Sequence, residues 1–175
     1  MNLNLKLLNQ LLSQLFVSCD DIGDRFELIR FPGDFKVMLK HLEILRDRGI
    51  KIRHLSSCVG IYSLCSPIRV YDYFSPMGYD TYSFRFLRAP DKVDIAYLPN
   101  DIKDVVIERY NKSNLPDKWK NYMSGYLNKY KGIPQQKINF QMNQFVTYMN
   151  DLDTIRGTNW KNTFPEVVDL IHNYI

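Results

Sequence analysis

The residues with the clearest chemical potential lie together near the N-terminus. A short apolar run, Leu15-Phe16-Val17, gives way to Ser18, Cys19, Asp20, Asp21 and Gly23, and an arginine, Arg30, follows 12 positions after Ser18. Ligands in parallel α/β folds bind beyond the carboxyl ends of strands. A hydroxyl and a guanidinium at such a place can hold an anionic group, the guanidinium through charge-assisted hydrogen bonds. Asp20 and Asp21 are placed to orient that arginine or to meet an amine, or simply to form a solvated turn.

The elements that must position these residues follow from hydrophobic spacing. Leu5, Leu8, Leu12 and Leu15 recur at three and four, the mark of a one-faced helix too short to span a bilayer. A strand ends at Ser18, and a helix is predicted from Asp34 to Arg48 with Phe35, Met38, Leu42 and Leu45 inward and Gly49 as its stop. A second strand is expected over "IKIRHLSSCVGIY", a helix opened by Ser66-Pro67 and running toward Gly78, and a third strand over "YDTYSFRFL". Strands alternating with helices imply a parallel sheet. Beyond Pro90 the pattern turns helical. Ile102, Val105, Val106 and Tyr110 form one inward stripe, and Trp119, Met123, Tyr126 and Tyr130 a second. Ile138, Met142, Phe145, Met149 and Leu152 form a third, read as a face packed on the sheet. A short final helix is expected around Pro165.

The segment "VSCDDIGDRFELIRFPGDFKVMLKHLEIL" resembles the fourth strand and following helix of radical S-adenosylmethionine (radical SAM, AdoMet) enzymes, with the twitch-domain branch as the nearest likeness. "GIKIRHLSSCVGIYSL" is similar to a strand exit of that family, "FRFLRAPDKVDIAYLPNDIKDVVIERY" to its sixth strand and next helix start, and "YMNDLDTIRGTNWKNTFPEVVDLI" to its C-terminal end. The likeness covers residues 15 to 175. It implies an α/β fold: half of a partial TIM-type (β/α) parallel barrel of about three strands over residues 1–98, then a mostly helical C-terminal cap over residues 99–175, in one compact unit.

By the same resemblance, Ser18 and Arg30 match positions that contact the methionyl end of AdoMet, with Asp20 beside them. Ser63, after Tyr62, stands where the family frequently has asparagine. The intact family carries a [4Fe-4S] cluster that reduces AdoMet to methionine and a 5′-deoxyadenosyl radical, which abstracts hydrogen from substrate. The defining CxxxCxxC loop is missing, since Cys19, Cys58 and Cys65 are separated by 39 and 7 positions. No cluster is expected on this chain alone, and no catalytic or metal residue is assigned.

The resemblance implies the C-terminal part of a radical SAM enzyme, inactive by itself and starting at an internal methionine. Its implied partner is a separate N-terminal half, or another copy joined through an exposed sheet edge. The alternative is a cluster-free, non-catalytic remnant that binds a ligand or protein.

Composition sets the remaining bounds. With 45% hydrophobic and 14% aromatic residues, the 175-residue chain can bury a core and is not a disordered polymer. Three cysteines without an even framework suit a reducing cytoplasm. Basic residues are interspersed with acids and form no run of like charge, a weak case for nucleic acid. Only the stretch from Lys112 to Lys137 is locally basic, with tyrosines at spacing four, a pattern read as a core stripe beside a solvated face. His41, His54 and His172 have no metal-spaced neighbours.

Overall fold

In the computed structural model, the described residues are 15–50, 52–79 and 81–175. The predicted leucine-rich helix over Leu5, Leu8 and Leu12 lies outside them. Leu15 begins strand β1 (Leu15–Ser18). Next come α1 (Gly23–Ile29), α2 (Phe35–Asp47), β2 (Ile52–Val59), α3 (Ser66–Phe74) and β3 (Tyr82–Phe86). Two 3₁₀ turns, Asp91–Val93 and Ile95–Tyr97, lead into α4 (Asn100–Lys112), α5 (Asp117–Lys129), α6 (Gln135–Arg156), α7 (Trp160–Thr163) and α8 (Pro165–Leu170). The fold is α/β, with a three-stranded parallel sheet in the order β1-β2-β3 and a helical C-terminal region.

Local chemistry explains most boundaries. Asp34 caps α2 by accepting from the Val37 amide at 2.9 Å, and Gly49 beyond its end takes a left-handed φ of 71°. Ser66, expected to cap α3, is its first residue, and its hydroxyl instead donates to Asp21. The short helix α1 falls between the strand ending at Ser18 and the helix predicted from Asp34, where hydrophobic spacing predicts no helix. Phe26 and Leu28 are buried on it, so tertiary burial holds a helix too short to persist alone.

Two packing expectations are corrected. Val105 is 40% exposed, because the buried arc of α4 is drawn by Ile102, Lys103, Val106 and Tyr110 and Val105 falls just outside it, beyond Ile102. The Ile138-Met142-Phe145-Met149 seam of α6 is buried as expected, but α6 packs chiefly on the 3₁₀ turns after β3 and not on the sheet. Those turns present buried Val93, Ile95 and Ala96 to it.

The sheet has two unlike faces. Val17 pairs with Leu55, Leu55 with Tyr82, Ser57 with Phe84 and Val59 with Phe86, and this face joins the hydrophobic core. On the opposite face, register aligns Phe16 with His54, Ser18 with Ser56, Ser56 with Ser83, and Cys58 with Arg85. Ser18 and Arg85 are exposed, Phe16 is 54% exposed, and His54, Ser56, Cys58 and Ser83 are half-buried. Among the described residues this polar face is open. Side chains alternate along a strand, so one register sets both faces.

Candidate functional site at the carboxyl end of the sheet

The site begins where β1 leaves the sheet. The Cys19 amide donates to the Ser56 carbonyl at 2.8 Å, extending the ladder by one rung. At the next rung a side chain replaces the backbone: Asp20 Oδ1 accepts from the Cys58 amide at 2.7 Å. This holds the Asp20 carboxylate, buried at 6% exposure, over the end of β2. Its other oxygen, Oδ2, lies 3.0 Å from Arg30 Nη2. The guanidinium at the C-terminus of α1 is thereby pinned at the strand ends, one-third exposed, and its Nε is buried without an acceptor among the described residues.

Asp21 turns the other way. It is fully buried, accepts from the Ile22 amide and from Arg69 Nε, each at 2.9 Å, and also accepts from Arg69 Nη2 and the Ser66 hydroxyl. Arg69 Nη1 then reaches Glu166 Oε1 at 2.7 Å, and Glu166 Oε2 lies 2.9 Å from Arg25 Nη2. One chain of charges therefore links the β1 exit, α1, α3 and α8.

Of the sequence-selected residues, the fold brings Asp20 and Arg30 into direct contact. Ser18 is exposed on the open face, two residues from Asp20. Ser63 is fully buried; its hydroxyl accepts from the Gly60 amide at 2.9 Å and donates to the Cys58 carbonyl at 3.2 Å, so it shapes the turn after β2. Asp20 and Asp21 are both buried, so neither sits in a solvated turn.

Sequence reasoning missed the partners that close the site from afar. Tyr62, Tyr148 and Arg156 line a small cleft of about 50 Å³ with Leu28 and Ile29. Burial, and then the Asp20 charge, pushes the Tyr62 phenol well up. Arg156 donates to the Leu28 carbonyl at 3.0 Å and lies over the Phe31 ring at 5.2 Å. Arg69 and Glu166 carry no local signal, since their contacts to Asp21 and Arg25 span 48 and 141 residues.

The three cysteines do not fit a [4Fe-4S] cluster. Cys19 Sγ donates to the Asp21 carbonyl at 3.1 Å, whereas Cys65 Sγ accepts from Arg109 Nη1 at 3.7 Å. Burial pushes all three thiols up, Cys19 to about 12. Among the described residues, no group of His, Cys, Asp and Glu side chains is assembled to hold a metal ion, and no helix is long and apolar enough to cross a membrane. Compared with protein-family models, curated proteins and solved structures, the chain matches none.

Proposed function

We propose that the chain is the C-terminal part of a twitch-type radical AdoMet partial barrel, and that the carboxyl end of its sheet forms one wall of an AdoMet pocket. One observation carries this reading: the parallel sheet leaves a polar face open, with Ser18 on that face and Arg30 pinned at the adjoining strand ends. In a half-barrel such a face is the inner surface. Arg30 holds the methionyl carboxylate. A guanidinium has five donors, and Asp20 engages Nη2, so the fork keeps donors for a second carboxylate. The Ser18 hydroxyl supplies a further donor, and Asp20 orients the arginine.

AdoMet supplies a 5′-deoxyadenosyl radical only together with a reduced cluster, and no radical step is assigned to this chain. Its share is binding, orientation and exclusion of water. The open face and the outer strand β1 are the surfaces that a separately made N-terminal half would cover. The free thiols suit a cytoplasmic site of action.

A second reading, a non-catalytic remnant that binds another ligand, draws support from Ser63, whose hydroxyl is engaged inside its own turn. A heteronuclear NMR titration separates the two. AdoMet and S-adenosylhomocysteine should shift the amides of Ser18 to Asp21 and Cys58 to Ser63, whereas 5′-methylthioadenosine, which lacks the methionyl carboxylate, should not. Arg30→Ala should weaken AdoMet binding by about ten- to a hundredfold, the equivalent of one charge-assisted bond. Arg30→Lys should recover little. If all three compounds behave alike, or if Arg30→Ala changes nothing, the AdoMet reading fails and the remnant stands.

A further inference from the structure

The positive charge of the chain is concentrated in one place. Residues 112 to 137 contain six lysines and a single acidic residue, Asp117, against a net charge of +4 for all 175 residues. The rest of the molecule is therefore close to neutral. A purely structural reading of this stretch assigns its aromatic residues to the core and its lysines to solvent. Tyr122 departs from that assignment: it is 44% exposed.

Tyr122 belongs to a stacked aromatic group between α5 and the outer strand β3. Phe86 stacks on Tyr126 at 3.7 Å and on Tyr122 at 4.9 Å, with interplanar angles of 21° and 19°. Trp119 meets Tyr122 edge-on at 5.8 Å. A ring backed by such neighbours is held flat without losing its exposed area, which lowers the entropy cost of adding another ring to it. Cations lie over the same group. Lys118 Nζ is 5.3 Å from the Trp119 centroid, Lys129 Nζ 5.4 Å from Tyr130, and the Arg88 guanidinium 5.6 Å from Tyr126. Among the described residues, no carboxylate pairs with Lys118 or Lys129 within 4.0 Å, so both charges remain available to an external anion.

We propose that this aromatic and basic surface binds single-stranded nucleic acid, with a base stacked on Tyr122 and phosphates held by Lys118, Lys129 and Arg88. An exposed stacking ring beside unpaired cations answers both parts of such a ligand, a planar base and a repeating negative charge. A duplex keeps its base faces covered, and a simple polyanion offers the charge without planar rings. The site is separate from the Asp20–Arg30 region and does not depend on the AdoMet reading.

The test is fluorescence anisotropy of the full chain with a fluorescein-labelled oligothymidylate of about 12 nucleotides, its duplex form, polyphosphate and a poly-glutamate peptide. The single strand should bind at least about fivefold more tightly than the duplex or either polyanion. With three phosphate contacts, affinity should fall about tenfold between about 50 and about 150 mM salt. Tyr122→Ala should weaken binding about fivefold or more, and Tyr122→Phe should not. If Tyr122→Ala proves unfolded by circular dichroism, the Lys118→Glu/Lys129→Glu double variant decides, with a loss of at least tenfold expected. The proposal is overturned if the single strand does not bind, if duplex or polyanions bind as well, or if a folded Tyr122→Ala binds like the wild type.

Discussion

Arg69 closes on Asp21 from 48 residues away, its Nε 2.9 Å from Oδ1 and its Nη2 on Oδ2, so a fully buried carboxylate meets a guanidinium edge-on through two parallel bonds. Two-pronged geometry of this kind is what makes a buried charge tolerable. The same guanidinium still has Nη1 free for Glu166, which makes Arg69 the junction between the β1 exit and α8.

Removal of Arg69 should therefore be costly. Arg69→Leu is expected to destabilise the fold by about 3–5 kcal/mol, because Asp21 is left charged and unpaired. Glu166→Gln should cost only about 1 kcal/mol, since its carboxylate is one-fifth exposed and water can replace part of what is lost. Urea unfolding of both variants checks the order. Similar losses at the two positions would contradict the central place of Arg69.

Asp20 and Arg30 should behave as one unit. Asp20→Ala removes the acceptor of the Cys58 amide along with the ion pair, and is expected to cost about 2 kcal/mol. Arg30→Ala in that background should add little. A double-mutant cycle by chemical denaturation measures the coupling, and strictly additive losses would show that the contact carries no energy.

Ser63→Ala should lower stability by about 1 kcal/mol through loss of the turn it closes after β2, while leaving AdoMet affinity unchanged. Calorimetric titration beside a melting curve separates the two effects. A specific loss of affinity with unchanged stability would return Ser63 to the ligand contacts.

Lys103 gives a pH signature. It is fully buried and donates to the Tyr130 carbonyl at 2.8 Å, and burial, then the charge of Lys131, pushes its ammonium down to about 8 from 10.5. The unfolded chain keeps that proton up to about 10.5, so the folded state is penalised below pH 8 and recovers as pH rises toward 10.5. The gap corresponds to roughly 3 kcal/mol. Cys19, raised from 9.0 to about 12, acts oppositely above pH 9, but it is common to wild type and variant and cancels in their difference. Lys103→Met should therefore gain on the wild type by roughly 3 kcal/mol more at pH 7 than at pH 10.5. Parallel stability profiles from urea melts across that range would refute the assignment.

The strands and the long helices were legible because each rests on a local signal. The Asp34 cap, the left-handed Gly49 and the period of the Ile138–Met149 seam act within a few residues of where they are written. The site was legible at Asp20 and Arg30, which are close in sequence and meet across α1. It was not legible at Arg69, Glu166, Tyr62 or Arg156, because their partners are chosen by the packing of separate helices. Helix α1 was missed for the same reason: its stability comes from where Phe26 and Leu28 are buried. The inward placement of Val105 failed on a related point, since a fully buried lysine, Lys103, takes the side of α4 that pattern reading gives to apolar residues.

The link from Glu166 to Arg25 has a consequence in time. The two residues stand 141 positions apart. A ribosome adding about 5–20 residues per second makes Arg25 roughly 7–28 s before it makes Glu166. During that interval the three strands can already pair, while two arginines wait for a carboxylate that does not yet exist. The Asp21 side of the strand exit therefore reaches its final electrostatic setting only after the helical region has been synthesised, so a nascent chain arrested before α8 should hold a paired sheet in which Arg25 and Arg69 still lack Glu166.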